Sequence, residues 1–530
     1  MAPTHDSDAH HDEGVDRLAP RQGSEGVHVS VGCFSKLTPR RIVYISAFVS
    51  SLTSILLGYD VGVMSGAIKY IADDLDLNTL QKGVIVSSLN LVAAPGGLVA
   101  GTASDVLGRK RAIGLACFIF ITGSIIKLAS GSFGVLLLGR IVTGIGVGCG
   151  FVVAPVYIAE ITPPDIRGKL TALTDISINV GIVLGYLVAY MCAATLDTDG
   201  EKWRTMLGIS IVPPFIILAS LTFLPESPRW LLGHRREEQA YTVLCTVREN
   251  GGLARPGLGW AGQSRPREAP GWGELLCTRE PALAATLWLG LGLGVAQQIS
   301  GSEAAVYYSP LVLDSSGLTS EAQQLGGNIA VGLSKLGGEV VAAMLVDQTG
   351  RRPLFLLSSS LCTAFLFYIG ITFSASAGGW ATLVGLCLFM GAFSLGMGAL
   401  TFVVASEVFP LRHRGKGVSV VVAANRLVSG TIALCFPLLE EGLSPAGTFY
   451  IFCALSAGTV FFYKAQVPET AQRTLEEITA EAVARTGGGG QSQRGLHGSP
   501  PGRDDVGGSG GAGGYDFALT PPVGIVMTEL

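Results

Sequence analysis

The sequence predicts an all-α membrane protein of twelve transmembrane helices in two six-helix halves, with both termini in the cytoplasm. Three observations carry this. Only 14% of the 530 residues are charged and 48% are hydrophobic, with a mean hydropathy of +0.48; a soluble domain carries about 25% charged residues. Twelve mostly apolar runs approach or exceed the roughly 20 residues that a helix needs to cross a bilayer core. Three motifs of the first half return in the second at a common offset.

In chain order the runs occupy 42–68, 84–104, 112–129, 134–159, 170–193 and 206–224, then 282–313, 325–346, 354–373, 380–408, 418–439 and 449–464. The domain boundaries that follow are a polar tail (1–40), a first half (41–224), a central loop (225–281), a second half (282–470) and a second tail (471–530). The stretches 251–273 and 487–514 are rich in Gly with Pro, Arg or Ser, which predicts a flexible insertion and a disordered tail. The polar first forty residues show no cleavable signal.

Loop charge gives the orientation. Arg109, Lys110, Arg111, Arg167, Lys169, Arg351, Arg352, Arg412, Arg414 and Lys416 fall on the side of the central loop. The other side carries Asp73, Asp74, Asp76, Asp197, Asp199, Glu440 and Glu441. Basic loops stay inside, so the central loop and both tails are expected in the cytoplasm.

The repeats are DVLGRKR (105–111) with DQTGRRP (347–353), EITPPDIRGK (160–169) with EVFPLRHRGK (407–416), and PES (225–227) with PET (468–470). All three pairs are separated by about 245 residues, as expected for a duplicated six-helix unit.

Other classes are disfavoured. A net charge of −4 gives no reason to expect nucleic acid, and the 10 cysteines show no CxxC or disulfide framework. No metal or other cofactor is expected, and no enzymatic activity; His5, His10 and His11 are read as part of a polar tail.

The first run carries one charge in its apolar core, Asp60. A carboxylate there costs about 2.5–3.5 kcal/mol on insertion scales. Gly58, Gly62 and Gly66 form a smooth stripe for close helix packing, and helical geometry puts Asp60 on the opposite side, toward a cavity. Two readings remain at this point: a structural Asp paired with a basic residue, or a proton-carrying or ligand-coordinating carboxylate. Helix rise places Arg140, on the fourth run, at a matching depth.

The motifs GYDVGVMSGA, DVLGRKR, GRIVTGIGVG, APVYIAEITPPDIRG, PESPRWLL, QQISGSEAAVYYSP, DQTGRRP, SEVFPLRHRGKG and VPET follow one another between residues 41 and 470. In this order the chain resembles the sugar porters of the major facilitator superfamily. The resemblance implies alternating access, with Asp60 and Arg140 as the proton-coupling pair. It implies substrate contacts from Asn179, Gln297, Gln298 and Asn425, and a gate that closes through Asp105, Arg109, Glu160, Arg167, Glu226 and Arg229 in one half. Asp347, Arg351, Arg352, Glu407 and Arg414 are the counterparts in the other. Tyr307 and Tyr308 would line the outer gate, or pack as ordinary aromatics; the basic and acidic motif residues would otherwise serve as interfacial charges.

Departures from the family pattern refine the substrate. Glu303, Lys335 and Arg426 introduce charges that resemble plant-type polyol and monosaccharide transporters, and Lys335 shares a helix face with Glu339. Ala399 and Phe402 stand where the family usually has Pro and Trp. The implied function is proton-coupled symport of polyols and monosaccharides. The alternatives are a proton-independent facilitator, a myo-inositol porter, and, ranked lower, a sugar-sensing receptor or a channel. The implied partners are a polyol or sugar, protons and membrane lipids; the chain is expected to be monomeric and to reside in the plasma membrane, with the vacuolar membrane as the alternative.

Overall fold

The computed structural model describes residues 38–163, 166–247, 271–410 and 412–470. Residues 1–37 of the first predicted tail, the whole second tail and most of the predicted insertion at 251–273 lie outside these, as do the side chains of Arg167 and Asp347. Among the described residues every regular element is a helix.

The first six crossings are α1 (Pro39–Asp74), α2 (Thr79–Leu107), α3 (Arg109–Leu128), α4 (Phe133–Ile161), α5 (Arg167–Thr195), and the pair α6 (Asp199–Gly208) and α7 (Val212–Leu221), which a single 3-10 turn joins. Three short helices follow, α8 (Pro228–Gly233), α9 (Glu237–Val247) and α10 (Trp272–Leu276). The remaining crossings are α11 (Pro281–Ile299) with α12 (Ser302–Ser315), α13 (Glu321–Thr349), α14 (Arg351–Ser374), α15 (Gly379–Phe393) with α16 (Ala399–Val408), and α17 (Arg414–Gln466). Among the described residues, eleven segments are long and apolar enough to span a membrane. The longest, α17, breaks at Ser444, whose φ of 75° is non-helical, and so supplies two crossings. The count is therefore the twelve that hydropathy predicts. We call the face where α1 begins and α17 ends the terminal face, and the opposite one the far face.

Glycine positions α1. Ideal Cβ atoms at Gly58 and Gly62 would run into the backbone of Ile178 and Ile182 on α5, and those at Gly181 and Gly185 into Ile55, Tyr59 and Val63 on α1. The two backbones touch because neither carries side chains along the seam. This turns Asp60 away from α5, toward α3 and α4.

Two crossings depart from regular α-helix where hydropathy shows nothing. The seventh breaks at Gly301, which adopts φ +81° with the Phe452 ring against its α-carbon, a conformation that glycine takes without strain. The tenth passes through a π-helical turn at Ser394–Gly398. Such a turn loosens the backbone ladder, and its polar groups find other partners. The Gln297 amide donates to the Met397 and Gly398 carbonyls at 3.0 Å each, and the Met397 N–H donates to Ser358 Oγ at 3.0 Å. This crossing therefore departs from regular α-helix without a proline at Ala399.

From mid-depth to the far face, the first six crossings are hydrogen-bonded to the last six. Asn90 donates to Ser429 at 2.9 Å and to Tyr307 at 3.3 Å. Tyr186 donates to the Val306 carbonyl at 2.9 Å, and Asn328 to Ser65 at 3.0 Å. Tyr70 donates to Glu321 at 2.6 Å. These bonds tie the two sets of crossings together on the far side.

Candidate functional site

Asp60 is fully buried, and two cations hold it. Arg140 Nη1 donates to one carboxylate oxygen and Lys127 Nζ to the other, each at 2.6 Å, and none of the three side chains has solvent exposure. Glycine again makes the geometry: a Cβ on Gly139 would lie 2.8 Å from Lys127 Cγ, so α4 leaves a channel for the lysine stem to reach inward. The remaining Arg140 donors go to the Ile85 and Val86 carbonyls of α2 at 3.1 Å. A buried ion pair requires such additional hydrogen bonds, and Arg140 supplies them here.

A second polar cluster lies between the halves. Asn425, fully buried on α17, is its hub. Its amide donates to the Gly294 carbonyl at 3.0 Å and to Gln297 Oε1 at 2.6 Å. Its oxygen accepts from Gln298 at 3.2 Å and from Arg426 Nε and Nη2 at 3.1 and 2.7 Å. Arg426 also pairs with Glu303 at 3.7 Å and lies over the Phe151 ring, 5.5 Å from its centroid. Phe151 of α4 meets Phe402 of α16 edge to face at 5.7 Å, so aromatics from both halves border the cluster. Lys335 is half-buried, within electrostatic reach of Glu303, Glu339 and Arg426. Asn179 of α5 is buried. Among the side chains just named, three buried acceptors have no hydrogen-bond partner: Asn179 Oδ1, Gln298 Oε1 and Glu303 Oε2. Buried polar atoms are nearly always paired, so each of these calls for a donor.

The terminal face carries one arrangement twice. Arg109 donates Nε and Nη2 to Glu160 at 2.9 and 3.0 Å and pairs with Asp105 at 2.9 Å. Glu226 accepts the backbone N–H of Arg109 and Lys110, capping α3 with a negative charge. In the second half Arg351 pairs with Glu407 at 3.3 Å, and Glu469 accepts the N–H of Arg351 and Arg352 at the start of α14. Gly108 (φ +96°) and Gly350 (φ +88°) make the turns, and a Cβ on either would strike the capping carboxylate. Ser227 donates to Glu160 at 2.5 Å and Thr470 to Glu407 at 2.6 Å, which explains why PES and PET share a hydroxyl as well as an acid. Arg414 lies within electrostatic reach of Glu407, and Arg352 donates to the Lys464 carbonyl at 2.8 Å. Arg229 is exposed and stands outside the cluster. The ion pairs named here each stay within one half.

A family model described as "Sugar (and other) transporter" matches residues 46–482. The chain belongs to this sugar-transporter family. Among its curated relatives, a probable polyol transporter 4 of Arabidopsis thaliana is 38% identical over 448 residues, covering 83% of this chain and 85% of the relative. The glucose transporter GlcP of Staphylococcus epidermidis is 34% identical, covering 84% and 98%. Among solved structures, the inward-open conformation of the xylose transporter XylE from E. coli superposes with a TM-score of 0.71 at 28% identity, covering 83% of this chain and 99% of that one. XylE bound to 6-bromo-6-deoxy-D-glucose, a proton:xylose symporter of the major facilitator superfamily, gives 0.70 at 27% identity, covering 83% and 99%. This sugar transporter is thus a multi-pass membrane protein of the major facilitator fold, in a family of transporters rather than enzymes.

The structure of this sugar transporter brings together Asp60 and Arg140, and separately Gln297, Gln298, Glu303, Asn425, Arg426 and Phe402. Tyr307 and Tyr308 are buried; Tyr307 lies within electrostatic reach of both groups, and Tyr308 donates to the Ala433 carbonyl at 2.8 Å and stacks on Phe436 at 5.2 Å. Sequence reasoning missed Lys127, Asn90, Phe151, Ser227 and Thr470. Lys127 had a signal, a lone charge in an apolar run, the same one that singles out Asp60.

Proposed function

We propose that this protein is a proton-coupled symporter of polyols and monosaccharides that works by alternating access, with both termini cytoplasmic and the plasma membrane as its site. The observation that carries the substrate class is the set of buried, partnerless acceptors contributed by both halves, Asn179 Oδ1, Gln298 Oε1 and Glu303 Oε2. A polyhydroxylated ligand supplies hydroxyl donors at several points, and the Phe151 and Phe402 rings suit its C–H faces. Polyol transporters among the relatives and a proton:xylose symporter among the structural neighbours support the same reading.

In this reading the protein works as a monomer whose two six-helix halves, divided at the central loop, rock about the Asn425 cluster. The far-face hydrogen bonds, with Tyr307 and Tyr308 behind them, form the outer gate. The duplicated terminal-face clusters, together with Arg167 and Asp347, form the inner one. The Asp60–Arg140 pair couples the motion to protons. A membrane potential of 100 mV supplies about 2.3 kcal/mol per proton, roughly 50-fold accumulation. The test is uptake of radiolabelled sorbitol, mannitol, myo-inositol, xylose and glucose in a transport-deficient cell, with external pH recorded. Accumulation that collapses with a protonophore, and alkalinisation on adding substrate, are expected. Uptake indifferent to the protonophore would favour a facilitator and end the symport reading.

A further inference from the structure

Asp60 has two cationic partners, of which the proposed coupling uses only one. With all three groups ionised, Asp60, Lys127 and Arg140 form a buried cluster with one excess positive charge. Among the described residues, the other groups facing it are neutral. Tyr59 of α1 donates to the Met206 carbonyl of α6, and α2 presents the Ile85 and Val86 carbonyls. Phe120 of α3 places its ring 5.3 Å from Lys127 Nζ, Thr143 of α4 bonds its own helix, and Ser124 pairs with Ser210. Cys192 of α5 lies beside Tyr59, and Tyr307 of α12 lies nearby.

A proton added to Asp60 would leave two buried cations with no anion, at several kcal/mol each. A guanidinium does not give up its proton, whereas a lysine ammonium can become a neutral amine. Removing one proton from Lys127 leaves a neutral Asp60–Arg140 ion pair. We infer that the transported proton rides on Lys127, while Asp60 and Arg140 remain ionised and hold it in place. This rests on the proposed symport and moves its proton from the carboxylate to the amine.

The step balances simply. A hydronium ion on one side gives its proton to the Lys127 lone pair, forming the ammonium that bonds Asp60. On the other side one N–H bond breaks, its electrons stay on nitrogen, and the proton leaves to water. Lys127 lies one residue from the far-face end of α3, so its amine stands between that face and Asp60.

The test uses the full chain in proteoliposomes with an internal pH dye, and sorbitol and glucose as probes. Lys127→Met leaves the neutral Asp60–Arg140 pair and has no proton to carry; Lys127→Arg keeps the charge and cannot release it. Both variants, shown folded by thermal denaturation, are expected to move no protons with sugar and to lose accumulation against a gradient. Either variant moving protons with sugar at the wild-type ratio overturns the inference. So does a Lys127→Met protein that does not fold, because the unloaded state would then be untenable. A wild type that carries sugar without protons sinks the symport reading instead, which keeps the two failures apart.

Discussion

Replacing Asp60 by asparagine is expected to destabilise the folded protein by about 3–5 kcal/mol, the usual cost of removing one partner of a buried ion pair. The amide keeps the shape and removes the anion that Lys127 and Arg140 share at 2.6 Å. Neither cation has solvent exposure, so water does not take over the lost role. Arg140 keeps the Ile85 and Val86 carbonyls, whereas Lys127 keeps only the Phe120 ring. Arg140 cannot shed its charge and Lys127 can do so only by giving up a proton, so Asp60→Asn combined with Lys127→Met, which removes one of the two stranded groups, should regain part of the loss. Contacting residues typically couple by about 0.5–3 kcal/mol, enough to resolve in a double-mutant cycle. Thermal unfolding in detergent measures all four corners. An Asp60→Asn protein that melts with the wild type, or a double variant worse than the sum of the singles, would show that Lys127 and Arg140 do not depend on this carboxylate.

The crossings were legible because each is a long apolar run, a property of composition that needs no tertiary information. Where crossings depart from regular α-helix was not. Gly301 and the Ser394–Gly398 turn depend on Phe452, Gln297 and Ser358, residues distant in sequence that make the broken geometry tolerable. The Asp60–Arg140 contact followed from counting helix rise, since both lie deep in their runs. Lys127 escaped because it sits at the end of its run, where a lysine ordinarily snorkels to the interface. Here the Gly139 groove sends its stem inward instead. The repeated motifs announced a duplicated terminal face, but their sequence does not say that Glu226 and Glu469 cap helices, nor that Ser227 and Thr470 bond the neighbouring glutamates.

Asn425→Ala is expected to raise KM for sorbitol and glucose by about 30-fold, equivalent to roughly 2 kcal/mol of lost binding. Every polar atom of the amide is in use, and the bonds run to the side chains that would meet substrate. Truncation leaves Gln297 Oε1, Gln298 Nε2 and two Arg426 donors without their common partner, and each unsatisfied buried group typically costs about 1–3 kcal/mol. Gln297 stays anchored through its own amide to the Met397 and Gly398 carbonyls, so the π-helical turn of the tenth crossing should survive. Gln298 and Arg426 have no such second anchor of comparable quality; the Arg426–Glu303 pair spans 3.7 Å. They are free to swing, and the acceptor Gln298 Oε1 loses the position in which a ligand hydroxyl could find it. Asn425→Asp separates the two halves of the argument. It keeps the oxygen that orders Gln298 and Arg426 while losing the donors to Gly294 and Gln297, so its KM should lie between wild type and Ala. Arg426→Trp, which removes the charge, should shift preference from polyol toward hexose while leaving Gln297 in place. Uptake kinetics across the sugar panel decide this: an Asn425→Ala protein with wild-type KM would mean that substrate binds elsewhere in the molecule.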